Sequence, residues 1–189
     1  MKNKFVFIVL ARTLLFFTRA GIADSNDKNY FGIQYGIGNY SEDGISQEFN
    51  PTALIGRFGH YFHPSFSIEG RLGLGLQDDT QFLSEFGVDG FDATLELDSI
   101  IGVYGTGHFN LNESFSIYGV LGVSKVKGTA SLPSIPALES TEANSGISYG
   151  VGVDIGVGNN IALNIEYMQY LDKPDYDFGT IGLGVVFGF

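Results

Sequence analysis

Residues 178–189 read FGTIGLGVVFGF and bring the chain to Phe189. In an extended strand, Ile181, Leu183, Val185, Phe187 and Phe189 fall on one face. Thr180, Gly182, Gly184 and Gly188 fall on the other. A soluble sheet usually sets its apolar face on a core and its polar face in water. Here the second face is tiny. That combination predicts a strand with lipid outside and a crowded barrel interior inside.

Working back from this strand, the same period of two recurs in seven earlier segments. Segment 29–40 sets Phe31, Ile33, Tyr35 and Ile37 against Gly32, Gln34, Gly36 and Gly38. Segment 52–62 is the weakest, with Leu54, Phe58 and Phe62 outward and Arg57 inward. Segment 66–77 sets Phe66, Ile68, Leu72, Leu74 and Leu76 against Ser67, Glu69, Arg71, Gly73 and Gly75. In 93–109, Leu95, Leu97, Ile101 and Val103 oppose Glu96, Asp98, Gly102 and Tyr104. In 115–126, Phe115, Ile117, Leu121 and Val123 oppose Ser116, Tyr118, Gly122 and Ser124. Segment 146–157 has Ile147, Tyr149, Val151, Val153, Ile155 and Val157 outward and Asp154 inward. Segment 161–171 has Ile161, Leu163, Ile165 and Tyr167 outward and Ala162, Asn164 and Glu166 inward.

Short connections near 63–65, 110–114 and 158–160 alternate with longer ones at 41–51, 78–92, 127–145 and 172–177. Eight tilted strands with short turns at one end and longer loops at the other predict an all-β fold: an eight-stranded antiparallel up-and-down transmembrane β-barrel. Closure of an even number of strands removes the exposed edge. Phe62, Phe66, Phe109, Phe115, Phe187 and Phe189 gather at the turn-side ends, and Tyr40, Phe49, Tyr170 and Phe178 at the loop side. Two aromatic belts at two levels are expected of a membrane barrel.

Composition agrees. Glycine supplies 27 of 189 residues without a collagen period, about twice average usage. There is no Cys, which removes disulfides, thiolate metal sites and thiol nucleophiles. Lys2, Lys4, Arg12 and Arg19 lie in the first 23 residues, which hold no acid; the other six basic residues face 21 Asp and Glu. Such an acidic chain is unsuited to nucleic-acid phosphates. Residues 1–23 read as a signal peptide: Lys2 and Lys4 precede FVFIVLA, and Gly21 and Ala23 stand before Asp24. Arg12 and Arg19 interrupt its apolar part. Residues 24–189 then form the barrel domain.

From about residue 29 onward the chain resembles the small outer-membrane barrels of the OmpA-type transmembrane domain and the opacity-like, porin-like surface antigens. ISYGVGVDIGVGNNIALNIEYMQYL at 147–171 is similar to the family's glycine-rich strand, Asn turn and following strand with a Glu-Tyr pair, here Glu166 and Tyr167. TIGLGVVFGF resembles its closing strand, and FSIYGVLGVSKV at 115–126 its middle strand. The resemblance implies a Gram-negative outer-membrane location among lipid and lipopolysaccharide. It also implies that Phe187 and Phe189 serve as an assembly signal for the barrel-assembly machinery. Unlike the full-length OmpA proteins, this chain is expected to lack a peptidoglycan-binding domain after the barrel, so the resemblance does not imply anchoring to the cell wall.

Arg57, Glu69, Arg71, Glu96, Asp98, Asp154 and Glu166 are the expected interior polar network, with Arg71 set opposite Asp98. Five acids against two arginines leave some carboxylates protonated or wet, because an unpaired buried charge is costly. This network reads as a polar plug, with an ion path as the alternative. His60, His63 and His108 are placed at the turn-side rim, where a mismatch of parity argues against a metal site. Some small outer-membrane barrels act on lipid A through a His and Ser on one outer strand. Tyr167 and Gln169 stand at that position here, so no catalytic residue is assigned and no cofactor is expected. The loops are acidic: Glu42, Asp43 and Glu48; Asp78, Asp79, Glu85, Asp89 and Asp92; Glu139 and Glu142; Asp172, Asp175 and Asp177. Oxygen-rich loops can bind divalent ions weakly and bridge to lipopolysaccharide, although a solvated surface is the simpler account. Phe82, Leu83, Phe86 and Phe91 are expected to fold over the rim, and 127–145 to be a mobile loop. The resulting expectation is a non-enzymatic surface protein whose loops contact a surface or host ligand. A narrow channel, a lipid-modifying enzyme and a soluble lipocalin-like barrel follow in that order.

Overall fold

The structure is a computed structural model that describes residues 28–84, 90–133 and 139–189. The expected signal peptide at 1–23, Glu85, Phe86 and Asp89 lie outside the described residues. The strands are β1 (Asn29–Glu42), β2 (Thr52–His63), β3 (Phe66–Gln77), β4 (Asp79–Leu83), β5 (Phe91–Asn112), β6 (Phe115–Ser131), β7 (Glu139–Gly158), β8 (Ile161–Asp172) and β9 (Tyr176–Gly188). All pairings are antiparallel. β3 pairs with β5, and β1 pairs with β9 from Tyr30↔Gly188 to Glu42↔Tyr176. Eight strands therefore close into a ring, and β4 is a short ribbon beside β5 in the second long connection. Among the described residues no helix is long and apolar enough to cross a membrane; this chain crosses with strands, which satisfy their backbone groups around the ring.

The alternation seen in the sequence is the alternation of exposure. Leu72, Leu74, Leu121 and Leu183 are all outward and exposed, whereas Arg71 beside them is 1% exposed. In water such an exterior would be unstable; in hydrocarbon it is solvated. The turn-side aromatics Phe62, Phe66, Phe109, Phe187 and Phe189 face outward, with Phe115 half-buried. The loop-side set differs from the expected belt. Phe49, Tyr170 and Phe178 are buried and Tyr40 is half-buried, all packed inside the mouth.

Three further expectations are corrected. Glu96 is exposed and Asp98 only half-buried, and neither joins the interior. A bulge between Leu97 and Ser99 inserts one extra residue in β5 and reverses its facing. Leu97 and Ile100 point in and Ile101 and Val103 point out, so regular alternation across Asp98 gives the wrong side for Glu96. Arg71 consequently pairs in register with Gly102 and not with Asp98, which meets Lys127 Nζ at 3.3 Å. Finally, most of 127–145 is not loop. Lys127↔Ala143 through Ser131↔Glu139 continue the β6–β7 hairpin beyond the lipid-facing rows, and only 134–138 lies outside the described residues.

Interior glycines make the room that inward tyrosines fill. A Cβ on Gly102 would lie 2.0 Å from the Tyr104 hydroxyl oxygen, and one on Gly152 would lie 2.3 Å from the Tyr118 ring. Tyr118 is held by several hydrogen bonds and cannot give way. Gly152→Ala is therefore expected to cost about 1–3 kcal/mol by overpacking, read as a lower urea midpoint for the heat-modifiable gel band. Gly70→Ala is the control, because nothing lies within 4 Å of its Cβ position.

Candidate functional site: a buried ion-pair lattice and the loop-side mouth

The barrel interior is built around two arginines and two glutamates from three strands. Arg57 of β2 donates through Nε and Nη2 to Glu69 Oε2 at 3.0 and 2.7 Å. Arg71 of β3 donates through Nε to Glu69 Oε1 at 2.5 Å. Its Nη1 and Nη2 form a fork on Glu166 of β8, at 2.5 and 2.8 Å. All four side chains are at most 3% exposed. Paired carboxylates and guanidinium forks are the arrangement that makes buried charge tolerable.

Neutral groups complete the lattice. Tyr30 donates to Glu69 Oε2 at 2.6 Å and Tyr118 to Glu166 Oε2 at 2.8 Å. Arg57 Nη1 also donates to Tyr118 Oη and to Asn164 Oδ1. Asn164 accepts from Gln34 and donates to Asp154 Oδ1 at 2.6 Å. Each arginine lies over a ring: Arg57 is 5.3 Å from the Tyr118 centroid and Arg71 is 4.9 Å from that of Tyr104. The expected excess of interior acid shrinks to Asp154, which accepts from Asn164 at the edge of the lattice. Glu96 and Asp98 lie outside, Asp154 is half-buried at the turn-side end, and two positive charges meet two negative ones.

Tyr30, Gln34, Tyr104, Tyr118 and Asn164 were absent from the expected network. For Gln34, Tyr104, Tyr118 and Asn164 the signal lies in the inward parity of their segments, although none of them carries a charge. His60 and His63 are exposed at the turn side, as expected. His108 is instead directed inward, 3.0 Å from Thr106 Oγ1 and with its ring 5.2 Å from that of Tyr118. Among the described residues no group of three His, Asp or Glu is placed to hold a metal ion. On β8 the Tyr167 hydroxyl donates to Gln169 Oε1 at 2.5 Å.

Above the lattice the barrel opens at the loop end into a cup of about 450 Å³. Leu97, Val126 and Leu171 contribute apolar surface to it, and Tyr40, Tyr176 and Phe178 contribute rings. Tyr40 sits 6.1 Å from Tyr176 and 6.5 Å, edge-on, from Phe49. Glu42, Glu142 and Asp175 also line the cup, and Glu42 accepts from the Tyr40 hydroxyl at 2.8 Å. The 78–92 connection folds as expected in part: Leu83 is buried, Phe91 half-buried and Phe82 exposed.

A closed ring with an apolar exterior, a charge-compensated interior and an acidic loop end defines an outer-membrane β-barrel. The chain belongs to the outer membrane protein beta-barrel domain family, which its residues 8–189 match, and its place is the cell outer membrane. Over 157 residues it is 26% identical to the attachment invasion locus protein of Yersinia pseudotuberculosis serotype I (strain IP32953), covering 83% of this chain and 82% of that protein. The crystal structure of Ail, the attachment invasion locus protein of Yersinia pestis, aligns with a TM-score of 0.61 at 20% identity, over 86% of this chain and 99% of that one. Ail in complex with the heparin analogue sucrose octasulfate gives 0.59 at 20% identity, over 86% and 98%. Neisserial surface protein A gives 0.58 at 16% identity, over 85% and 97%. These structural likenesses speak for the fold.

Proposed function

We propose that this chain is a non-catalytic surface barrel whose sealed interior holds up an acidic, hairpin-built outer end for contact with a surface or host ligand. The observation that carries this reading is the neutral Arg57–Glu69–Arg71–Glu166 lattice, buried across the bore. It gives the barrel a rigid plug and leaves the extended β5–β6–β7 wall as the part free to meet partners. The attachment role named for Ail supports a contact function. Its polyanionic heparin analogue is a poor guide here, because Lys125, Lys127 and Lys173 are the lysines of the outer end and acidic side chains far outnumber them. Two measurements test the proposal. Purified barrel in a planar bilayer should show no discrete conductance steps, and non-adherent bacteria displaying it should gain attachment to host-cell monolayers. Clear single-channel steps without gained attachment would favour a narrow channel.

The same reading includes export by residues 1–23 and insertion directed by the closing strand. Phe187 and Phe189 extend the outward row of Ile181, Leu183 and Val185, and an apolar strand edge can pair temporarily with a sheet edge of the assembly machinery. Phe189 also exchanges backbone hydrogen bonds with Asn29 at 3.1 and 2.8 Å, and its ring lies 6.2 Å from that of Phe58. If anchoring is its whole role, deleting Phe189 removes these contacts and weakens the barrel itself. Deleting Phe189 is expected to slow insertion in cells and leave precursor in the periplasm, with refolding into lipid in vitro nearly unchanged. Equal damage to both would make Phe189 a plain anchor.

A further inference from the structure

The cup at the outer mouth has features that the plug and the lipid-facing wall do not explain. Its volume of about 450 Å³ falls in the range of small-molecule sites. The rings of Tyr40, Tyr176 and Phe178 line it, where an outward aromatic belt would have pointed them at lipid. Its charged lining is of one sign. Glu42, Glu142 and Asp175 line it and act electrostatically on the Tyr176 hydroxyl, Glu96 of β5 borders it, and no Lys or Arg is among the described residues around it. Outside, the charge is handled differently: Asp98 is met by Lys127 at 3.3 Å, and Lys173 donates to the Ser145 carbonyl at 2.8 Å. Lys127 and Lys173 are thus engaged away from the cup, Lys125 is exposed and not part of its lining, and the carboxylates have no cationic partner within it.

Apolar walls favour a ligand with a hydrocarbon body. Ring faces attract a diffuse positive charge, most strongly where water is partly excluded. A rim of carboxylates raises the local concentration of cations and rejects anions. We propose that the loop-side cup is a binding site for a small organic cation of the quaternary-ammonium kind, with its charge held between the tyrosine rings and the Glu42–Glu142–Asp175 rim. A metal ion would lack converging oxygen ligands there, and a neutral solute would gain nothing from the rim.

The probe is benzyltrimethylammonium, measured by equilibrium dialysis against the full folded barrel in uncharged octyl glucoside micelles. Benzyl alcohol and benzenesulfonate are the neutral and anionic controls. The cation should bind saturably at one site per barrel, and the controls should not. The triple variant Glu42→Gln, Glu142→Gln, Asp175→Asn should weaken the cation about tenfold through loss of the rim charge. Tyr176→Leu keeps an apolar wall without the ring and should weaken it to a similar degree. Both sets of changes lie at the rim, and retained heat-modifiability on a gel shows that the variants fold. The proposal is overturned if the cation does not saturate, if benzyl alcohol binds as tightly, or if neither folded variant changes the affinity.

Discussion

Arg71→Ala is expected to lower the unfolding free energy of the barrel by about 3–5 kcal/mol, the usual cost of stranding a buried partner. Arg71 joins the two glutamates: it donates to Glu69 at 2.5 Å and forks onto Glu166 at 2.5 and 2.8 Å. Its loss leaves two buried carboxylates to share Arg57, which reaches Glu69 at 2.7 Å but Glu166 only at 3.6 Å. The lattice then carries an uncompensated negative charge where water cannot reach it. Arg71→Met with Glu166→Gln removes one charge of each sign. The Tyr118 hydroxyl retains an oxygen to donate to, and Arg57–Glu69 remains intact. That double variant should recover about half or more of the loss, a coupling expected for residues in one network. Urea titration in lipid vesicles, read by the gel mobility of folded and unfolded forms, measures both. A loss below about 1 kcal/mol for Arg71→Ala would mean that the lattice is hydrated, since exposed pairs contribute no more than that.

Much of this architecture was legible because lipid inverts the usual pattern without blurring it. Leu72, Arg71 and Leu74 alternate by the pleat alone, and the pleat has a period of two wherever the strand is regular. What sequence could not supply was a change of period. At Leu97–Asp98–Ser99 the bulge reverses facing, yet Leu95, Leu97, Ile101 and Val103 still fall on odd positions and read as one face. The adjacent pair Ile100 and Ile101, one turned in and the other out, was the trace it left. Strand ends were hidden for a different reason. Past the hydrocarbon, a hairpin such as Lys127–Ser131 with Glu139–Ala143 is polar on both faces, so it carries the composition of a loop while keeping the pairing of a sheet. The mouth aromatics were misplaced for a related reason: level along the barrel follows from sequence distance, but inward or outward facing near a loop does not. Phe49 belongs to no long strand and reaches the interior through its bridge to Tyr40.

Leu183→Arg should destabilise the folded barrel by about 2–4 kcal/mol, the cost of a cation on the lipid face near the bilayer midplane. Leu183 lies inside the outward row of Ile181, Leu183, Val185 and Phe187 in β9. It pairs across the sheet with Tyr35 on one side and Ile165 on the other, both exposed apolar residues. No carboxylate lies on that face between the two ends of the row, so an arginine there must snorkel past apolar neighbours or thin the bilayer. Glu96→Arg is the informative comparison. The β5 bulge puts position 96 on the outward face opposite Thr129, beyond the apolar rows and in reach of water. An arginine there should cost about 0–1 kcal/mol, as near an interface. Had Glu96 faced the bore, the same change would place a third guanidinium inside a lattice already balanced by two glutamates, with a loss comparable to that at Leu183. Urea midpoints in vesicles separate the cases. A large loss at position 96 would return Glu96 to the interior and remove the bulge from β5, whereas a small loss at position 183 would mean that the closing strand does not face hydrocarbon.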